Sequence, residues 1–577
     1  MAVITATPDY GRRLLLNVID EAAATDPNHI VYSFKKTDDP DDGFHRVSNR
    51  RYAKGVNRLA WLIEDGHGKP AADIIPSIGY IGPRSLHDIF SQILNTKDAA
   101  TTLGDDDDLF LAGLDSLSAT RAISSLRSSL VEKSGNVDSS ISLIPLRFIY
   151  ANSTIDKLNV AMDNLVRPAQ KSVPRWHEMT DAEIMQQLLD ELTHDLPQRS
   201  ASEPSSHDLS CVLLTGGTGS LGPYLLDTLL ANPSVQRIYC LNRSADARQR
   251  HLAEAKTRGL TQDLSSPRVE FFHADLSKPL LGLSQQTHND LLQNTTTILH
   301  NQWPVSFYRP TAAYAPIIRG VRHLIDLAVA SKHQPVLFFV SSVGVVQAQT
   351  SNSTVPEAFV TRLEYAEGGY GQSKLVAELL LAKAAETSGL NLRIFRLGQL
   401  AGPVDGPLGQ WKKKEWLPLI VASSKYLEEL PSTLASLDRV DWLPVDRAAR
   451  IMVELMAPSG AGIPDALVYH VVNPHTVSWS SLVPTVAAGL GLNLETDVVP
   501  WEDWVGSLWA SQFGGDDERN PAVSLQSFYQ RLSEAAKAGR QLPILETTIS
   551  QQRSPTLRSM EAISPAWMTA WMKQWAF

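Results

Sequence analysis

Cysteine is nearly absent: the 577 residues contain two, Cys211 and Cys240, each inside an apolar run. A disulfide-framed secreted fold is thereby excluded, and the pair reads as buried, reduced packing residues of a reducing compartment. No uninterrupted apolar run approaches the roughly 20 residues needed to cross a bilayer. The opening MAVITATPDYGRR lacks the basic start and apolar core of a signal peptide. A cytoplasmic chain without a membrane partner is expected. An excess of basic charge is also missing. With 52 Lys and Arg against 62 Asp and Glu, the net charge is −10, which argues against nucleic acid and for small-molecule chemistry. No metal is expected. Nor does any Ser/Thr/Gly loop close with the lysine that ATP handling requires: TGGTGSLGP has Pro223 where that lysine would stand.

What is present changes character along the chain, as a length beyond one hydrophobic core demands. Residues 1–83 hold a helix candidate, GRRLLLNVIDEAAATDP, a second around Val56, Leu59, Ala60 and Leu62, and a strand-like close, IIPSIGYIGP. Residues 84–165 read as a small helical bundle. One stripe carries Leu86, Ile89, Phe90, Ile93 and Leu94, a second Ile123, Leu126 and Leu130, and a third, N-capped by Thr154, Ile155, Leu158 and Met162. Residues 166–208 form a linker with one helix, whose TDAE start makes a capping box of Thr180 and Glu183. From 209 to 577 apolar strands alternate with helices. CVLLTG, RIYCLNR, RVEFFHAD, TTILHN, VLFFVSS and LRIFRLG are the strands of a parallel, doubly wound α/β sheet, followed by a smaller C-terminal substrate subdomain. The tail PAWMTAWMKQW puts Trp567, Trp571 and Trp575 on one helical face, to pack on the body.

The chemistry concentrates at three places. VLLTGGTGSLGPYLLDTLL runs a strand through Gly216, Gly219 and Gly222 into a helix. Glycines serve the sharp turn, the approach of backbone to a pyrophosphate and the contact of helix on strand. Thr218, Ser220 and Leu221 complete that loop. The next strand ends Asn242-Arg243, without the acid that would select NAD. Arg243 suits a 2′-phosphate and tilts the choice to NADP(H), with Arg248 and Arg250 in reserve. Further on, FFVSS precedes YGQSK, where Tyr370 and Lys374 share a helical face. A serine, a tyrosine and a lysine in this order form the constellation of short-chain dehydrogenases. Tyr370 donates a proton to an oxygen gaining charge and Lys374 supports it. Ser342 aligns best with the required hydroxyl, and Ser341 is the alternative.

LLTGGTGSLG, ILHNQWPVSFYRP, YGQSKLVAE, RLGQLAGP and WLPVDRAA together resemble the terminal thioester reductase domain of carboxylic acid reductases and of fungal nonribosomal-peptide-synthetase-like reductases, within the extended short-chain dehydrogenases. The resemblance implies that His300 and Asn301 line the cofactor and that Asp275 approaches its adenine, with Gln302 departing from a small residue. LFLAGLDSLSATRA resembles a carrier motif and implies that a phosphopantetheinyl transferase places 4′-phosphopantetheine on Ser116, at a helix start that favours phosphate. NADPH would then reduce an acyl thioester held on Ser116 to an aldehyde or, after a second hydride, an alcohol. Residues 10–83 resemble the start of an adenylation domain, and near Pro83 the chain passes straight to the carrier. The expectation is an enzyme that does not activate its own substrate and takes its acyl group in trans, from a ligase, a synthase or acyl-CoA. Two other functions use some of the same residues: a dehydrogenase or epimerase acting on a free small molecule, and a non-catalytic carrier module.

Overall fold

The computed structural model describes strands 30–35 and 44–48, helix 86–93, single positions between 104 and 152, residues 154–166 and, short gaps aside, 180–199 and 208–577. The helices expected near 10–26 and 56–62, the strand-like 74–83 and Ser116 lie outside the described residues. In the first part, β1 (Ile30–Lys35) and β2 (Phe44–Ser48) pair antiparallel, a hairpin that the sequence did not announce.

The carrier region has its own core. Leu86, Ile89 and Phe90 of α1 (Leu86–Ile93) bury with Leu109, Leu114, Ile123, Leu126 and Ile149, and with Ile155 and Leu158 of α2 (Ile155–Val166). Thr154 caps α2 as expected: its hydroxyl accepts from the amide of Lys157 at 3.2 Å.

The large region is built on a seven-stranded sheet. In chain order it comprises β3 (Cys211–Thr215), α4 (Gly222–Ala231), β4 (Arg237–Asn242), α5 (Ala247–Arg258), β5 (Val269–His273), α6 (Gln285–Asn294), β6 (Thr297–His300), α7 (Ala315–Ala330), β7 (Val336–Ser342), α8 (Gly368–Ser388), β8 (Leu392–Leu397), α9 (Trp416–Leu427), α10 (Val445–Met456) and β9 (Val468–Val471). Every pairing is parallel, in the order β9-β8-β7-β6-β3-β4-β5. Six of these strands are the apolar runs read from sequence; β9, VYHV, is additional. Alternate strand residues serve opposite faces. Leu213, Leu241, Ile298 and Leu337 pack against α7 and α8, while Val212, Leu214, Cys240 and Phe338 pack against α4 and α10. Both cysteines are buried and free, and burial lifts Cys240 to about 12.

α3 (Asp181–Thr193) corrects one boundary. The capping box of Thr180 and Glu183 is formed, but the helix is no part of a linker. Met185, Leu188 and Leu192 enter the core beside α7 and α8, and Arg322 of α7 donates to the carbonyl of Leu192 at 2.9 Å. The packed unit thus begins by Thr180. At the other end a third core collects Trp411, Trp416, Trp442, Trp479, Trp501 and Trp504 with Trp571 and Trp575 of the C-terminal helix α11 (Pro565–Trp575). No helix among the described residues is long and apolar enough to cross a membrane.

Candidate active site

In a doubly wound sheet the crevice lies outside the carboxyl ends of the strands where their order reverses, here β3 and β6. β3 ends at Thr215 and β6 at His300. The Thr215 hydroxyl oxygen accepts from the amides of Asn301 and Gln302, both at 3.1 Å. Its own hydrogen therefore goes to Nδ1 of His300, 2.8 Å away. That fixes the proton of His300 on Nε2, which is buried without a partner among the described residues. Burial, with the charge of Lys374 acting in the same direction, drives the imidazole down to about 3 and keeps it neutral.

The glycine loop hangs on this hub. Gly216 has φ +72°, and a Cβ there would meet the backbone nitrogen of Gln302 at 2.8 Å, so Gln302 acts through its main chain here. Asn301 Nδ2 donates to the carbonyl of Gly216 at 3.2 Å. At Gly222 a Cβ would stand 2.2 Å from that same carbonyl oxygen, so α4 reaches the loop only with glycine there. Leu221 is buried, and no side chain caps the helix, which opens with Gly222 and Pro223. Free first-turn amides, a cradle that any Cβ would fill, and the half-buried Thr218 and Ser220 beside it fit a dinucleotide pyrophosphate.

The outlying positions differ. At the end of β4, Asn242 is buried, its Nδ2 donating to the carbonyl of Cys240 at 3.1 Å, and Arg243 is exposed. Asp275 after β5 binds its own turn, accepting from the Ser277 amide at 3.1 Å and hydroxyl at 2.7 Å. Burial works to raise its pKa, but these bonds and Lys278 outweigh it and leave the carboxyl below its ordinary range.

Ser342 closes β7 and accepts from the Gly344 amide at 3.1 Å, with its hydroxyl beside that of Tyr370. Ser341 is engaged elsewhere, donating to Oε1 of Glu378 at 2.5 Å. Burial raises the Tyr370 hydroxyl, and the Ser342 hydroxyl lowers it in part. Lys374 is buried on the same helix. Its Nζ donates to the carbonyl of Val340 at 2.5 Å and lies 4.0 Å from the Trp303 ring centroid and 4.6 Å from that of Phe339. Burial pulls Lys374 well below the usual lysine range, and Glu378 acts against that shift. His300 stacks on Phe339 at 5.7 Å and meets Trp303 edge-on at 6.2 Å, so hub, hydroxyl pair and lysine form one site. Trp303 was not singled out from sequence. Its indole donates to Ser373 at 3.3 Å, and Ser373 donates to the carbonyl of Tyr370 at 2.7 Å. Such an arrangement holds a polarised carbonyl next to a hydroxyl donor, beside a dinucleotide cradle.

Comparison with known proteins agrees with this layout. The Male sterility protein family matches residues 214–452, and the Phosphopantetheine attachment site family matches 84–133. A carboxylic acid reductase of Neurospora crassa is 36% identical over 527 residues, 89% of this chain and 49% of that protein. An adenylate-forming reductase of Aspergillus terreus is 30% identical over 96% of this chain and 51% of its own length. The chain thus spans about half the length of these curated relatives. Among solved structures, a thiolation-reductase di-domain from an archaeal nonribosomal peptide synthetase superposes with a TM-score of 0.53 at 19% identity, covering 86% of this chain and 98% of that one. The terminal R domain of the myxalamid pathway gives 0.57 at 24% identity, over 67% and 97%. These two share the fold. The chain therefore carries a phosphopantetheine-attachment domain followed by an NAD(P)-binding oxidoreductase domain of the short-chain dehydrogenase type, related to carboxylic acid reductases and adenylate-forming reductases.

Proposed function

We propose that the protein is an NADPH-dependent reductase that releases an acyl group, held as a thioester on the 4′-phosphopantetheine of Ser116, as an aldehyde. The observation that carries this reading is the Tyr370–Ser342 hydroxyl pair beside Lys374, set next to the glycine cradle in one chain with a phosphopantetheine-attachment domain. The cradle from Gly216 to Gly222 holds the pyrophosphate, His300 and Asn301 fix its shape, and Asp275 lies on the adenine side. Arg243, exposed at the end of β4 with no carboxylate in its place, supports a 2′-phosphate and hence NADP. The chemistry the dihydronicotinamide supplies when bound is a hydride for the thioester carbonyl carbon. Ser342 and Tyr370 hold the carbonyl oxygen, and Tyr370 passes it a proton as charge develops. Lys374 supports the resulting phenolate. The tetrahedral hemithioacetal then breaks its C–S bond: its hydroxyl gives up the proton as the carbonyl re-forms in the free aldehyde, and the leaving sulfur takes that proton up as the thiol.

The domain reading that goes with this is 84–165 as carrier and 1–83 as the remnant of an adenylation domain. A phosphopantetheinyl transferase arms Ser116. A donor in trans (ligase, synthase or acyl-CoA) loads it, because within the 577 residues no lysine-closed loop offers ATP a site. The test is to arm Ser116 with a panel of aliphatic and aromatic acyl-pantetheines and follow nicotinamide absorbance with NADPH and NADH. Turnover preferring NADPH is expected, with Tyr370→Phe slower by about 10²–10⁴-fold and still binding cofactor. No turnover with any acyl group would overturn the reading. ATP–pyrophosphate exchange by the pure protein would overturn the donor in trans.

A further inference from the structure

Behind the site lies a chain of buried polar groups that catalysis as described leaves unused. Glu378 on α8 and Arg396 on β8 are both fully buried and form a two-pronged pair, Nε to Oε1 at 3.1 Å and Nη2 to Oε2 at 2.8 Å. Ser341 adds a third donor to Oε1 at 2.5 Å. His470 of β9 donates from Nδ1 to the carbonyl of Glu546 at 2.6 Å, leaving Nε2 to accept from Arg396 at 3.4 Å. All three hydrogen bonds that reach Glu378, two from Arg396 and one from Ser341, bring their hydrogen from the partner, so its carboxylate carries none.

Burying an ion pair commonly costs more desolvation than its attraction returns, so one set this deep in a sheet calls for a local reason. Its position offers one. Glu378 follows Lys374 by four residues, one turn along the same helical face. The serine it holds directly precedes Ser342. Lys374 itself is buried, which opposes its charge through desolvation, and the Val340 carbonyl and two ring faces that attract its ammonium carry no full counter-charge.

Resting on the roles given to Tyr370 and Lys374 above, we propose that Glu378, locked ionised by Arg396, is a positioning residue: the fixed counter-charge that keeps Lys374 an ammonium and ties α8 to β7 at the level of Ser342. Among the described residues, the titratable and charged groups near Lys374 are Tyr370 and Glu378 on α8 and His300 at the end of β6. Arg396 and His470 stand behind Glu378. α3, packed on α8, brings Asp181 to Gln372 at 3.1 Å. Both histidines are pressed to about 3 by burial, so neither changes charge above neutrality.

The test is the Kd of NADPH for the full chain, read by nicotinamide fluorescence between pH 6 and 10, which needs no acyl substrate. Binding should weaken on the alkaline side as Lys374 loses its proton. In Glu378→Gln that break should fall by about one pH unit or more, and Glu378→Asp, which restores charge, should return it close to the native position. A purely structural role predicts weaker binding at every pH with the break unmoved, since Gln gives up at least one acceptor to Arg396, its amide N–H2 facing an N–H, and shorter Asp strains both bonds. If Glu378→Gln does not fold, Glu378→Leu with Arg396→Met removes both charges of that pair and leaves neither unpartnered, and its break should still move down. A break at the native pH in whichever variant folds overturns the proposal. Lys374→Arg, which does not titrate, should abolish the break. A break persisting there would overturn the role of Lys374 itself, and with it the proposal.

Discussion

Replacing Gly222 by alanine tests the cradle directly. The added Cβ would lie 2.2 Å from the carbonyl oxygen of Gly216 and 2.6 and 2.7 Å from the carbonyl carbon and Cα of Gly217. All three are main-chain atoms that no rotamer can clear. Relief requires α4 and the loop to part by about 1 Å, an overpacking of the kind that costs about 1–3 kcal/mol. The same displacement withdraws the first-turn amides from an anion. Each charge-assisted hydrogen bond lost is worth about 1.5–3 kcal/mol, so NADPH should bind about 10–100-fold more weakly. Gly219→Ala is the matched control. Within 4 Å its Cβ meets a single neighbour, the Gly216 oxygen at 3.4 Å, an ordinary contact. That variant should keep native stability and weaken NADPH only through the methyl placed on the loop. Urea denaturation gives the first quantity and nicotinamide fluorescence titration the second. A Gly222→Ala protein with native midpoint and native Kd would refute the reasoning. So would equal destabilisation by the two substitutions, because the contact distances would then decide nothing.

Three further outcomes follow from packing and charge. Trp571 is fully buried, edge-on to Trp411 at 5.2 Å and donating to the carbonyl of Pro403 at 3.2 Å. Trp571→Ala should cost about 3–5 kcal/mol in urea denaturation, while Trp509→Ala, at a position 39% exposed, should fall within about 0.5 kcal/mol of native. Burial lifts Glu415 to about 7, against the Trp411 indole at 2.8 Å, Lys412 and the Gln399 amide at 3.3 Å. A carboxyl raised above its unfolded value stabilises the fold at low pH and loses that contribution as pH climbs through its folded pKa. Glu415→Gln should therefore gain on the native protein between about pH 4.5 and 7, by about 3 kcal/mol, and run parallel above. Urea midpoints at several pH values check this, and a constant difference would refute it.

The glycine loop, the Tyr370–Lys374 pair and the six central strands were legible because each depends on local pattern: alternation, a glycine where no Cβ fits, a four-residue spacing on a helix. β9 was not, since VYHV is four residues long and its strand character comes from pairing with β8, more than 70 residues earlier in sequence. The membership of α3 in the large core escaped for a related reason. Met185, Leu188 and Leu192 show an amphipathic helix, but only the partner surface of α7 and α8 says where it docks. The pair of Glu378 and Arg396 was invisible, because an acid on a helix and a base in a strand ordinarily read as solvent-facing. Trp303 sits in ILHNQWPVSFYRP, a stretch that did stand out. Its role beside Lys374 depends on the turn after β6 and on Ser373, neither of which sequence spacing reveals.

The site's geometry follows from two periods that happen to agree. Four residues of helix rise about 6 Å, and two residues of strand about 6.6 Å. α8 runs back along β7, so Tyr370 meets Ser342 while Lys374 meets the carbonyl of Val340, two strand residues earlier. Glu378 lies one helical turn beyond Lys374 on α8. Its carboxylate turns sideways, to Arg396 on the adjoining strand and back to Ser341. The charge that stabilises Lys374 is thus anchored in the sheet rather than in solvent. Thr215 completes the balance by giving its hydrogen to His300, which leaves that ring neutral beside Phe339 and Trp303. With His300 neutral and Arg396 neutralised by Glu378, Lys374 is the charge that a carbonyl oxygen gaining electrons at Tyr370 and Ser342 would meet.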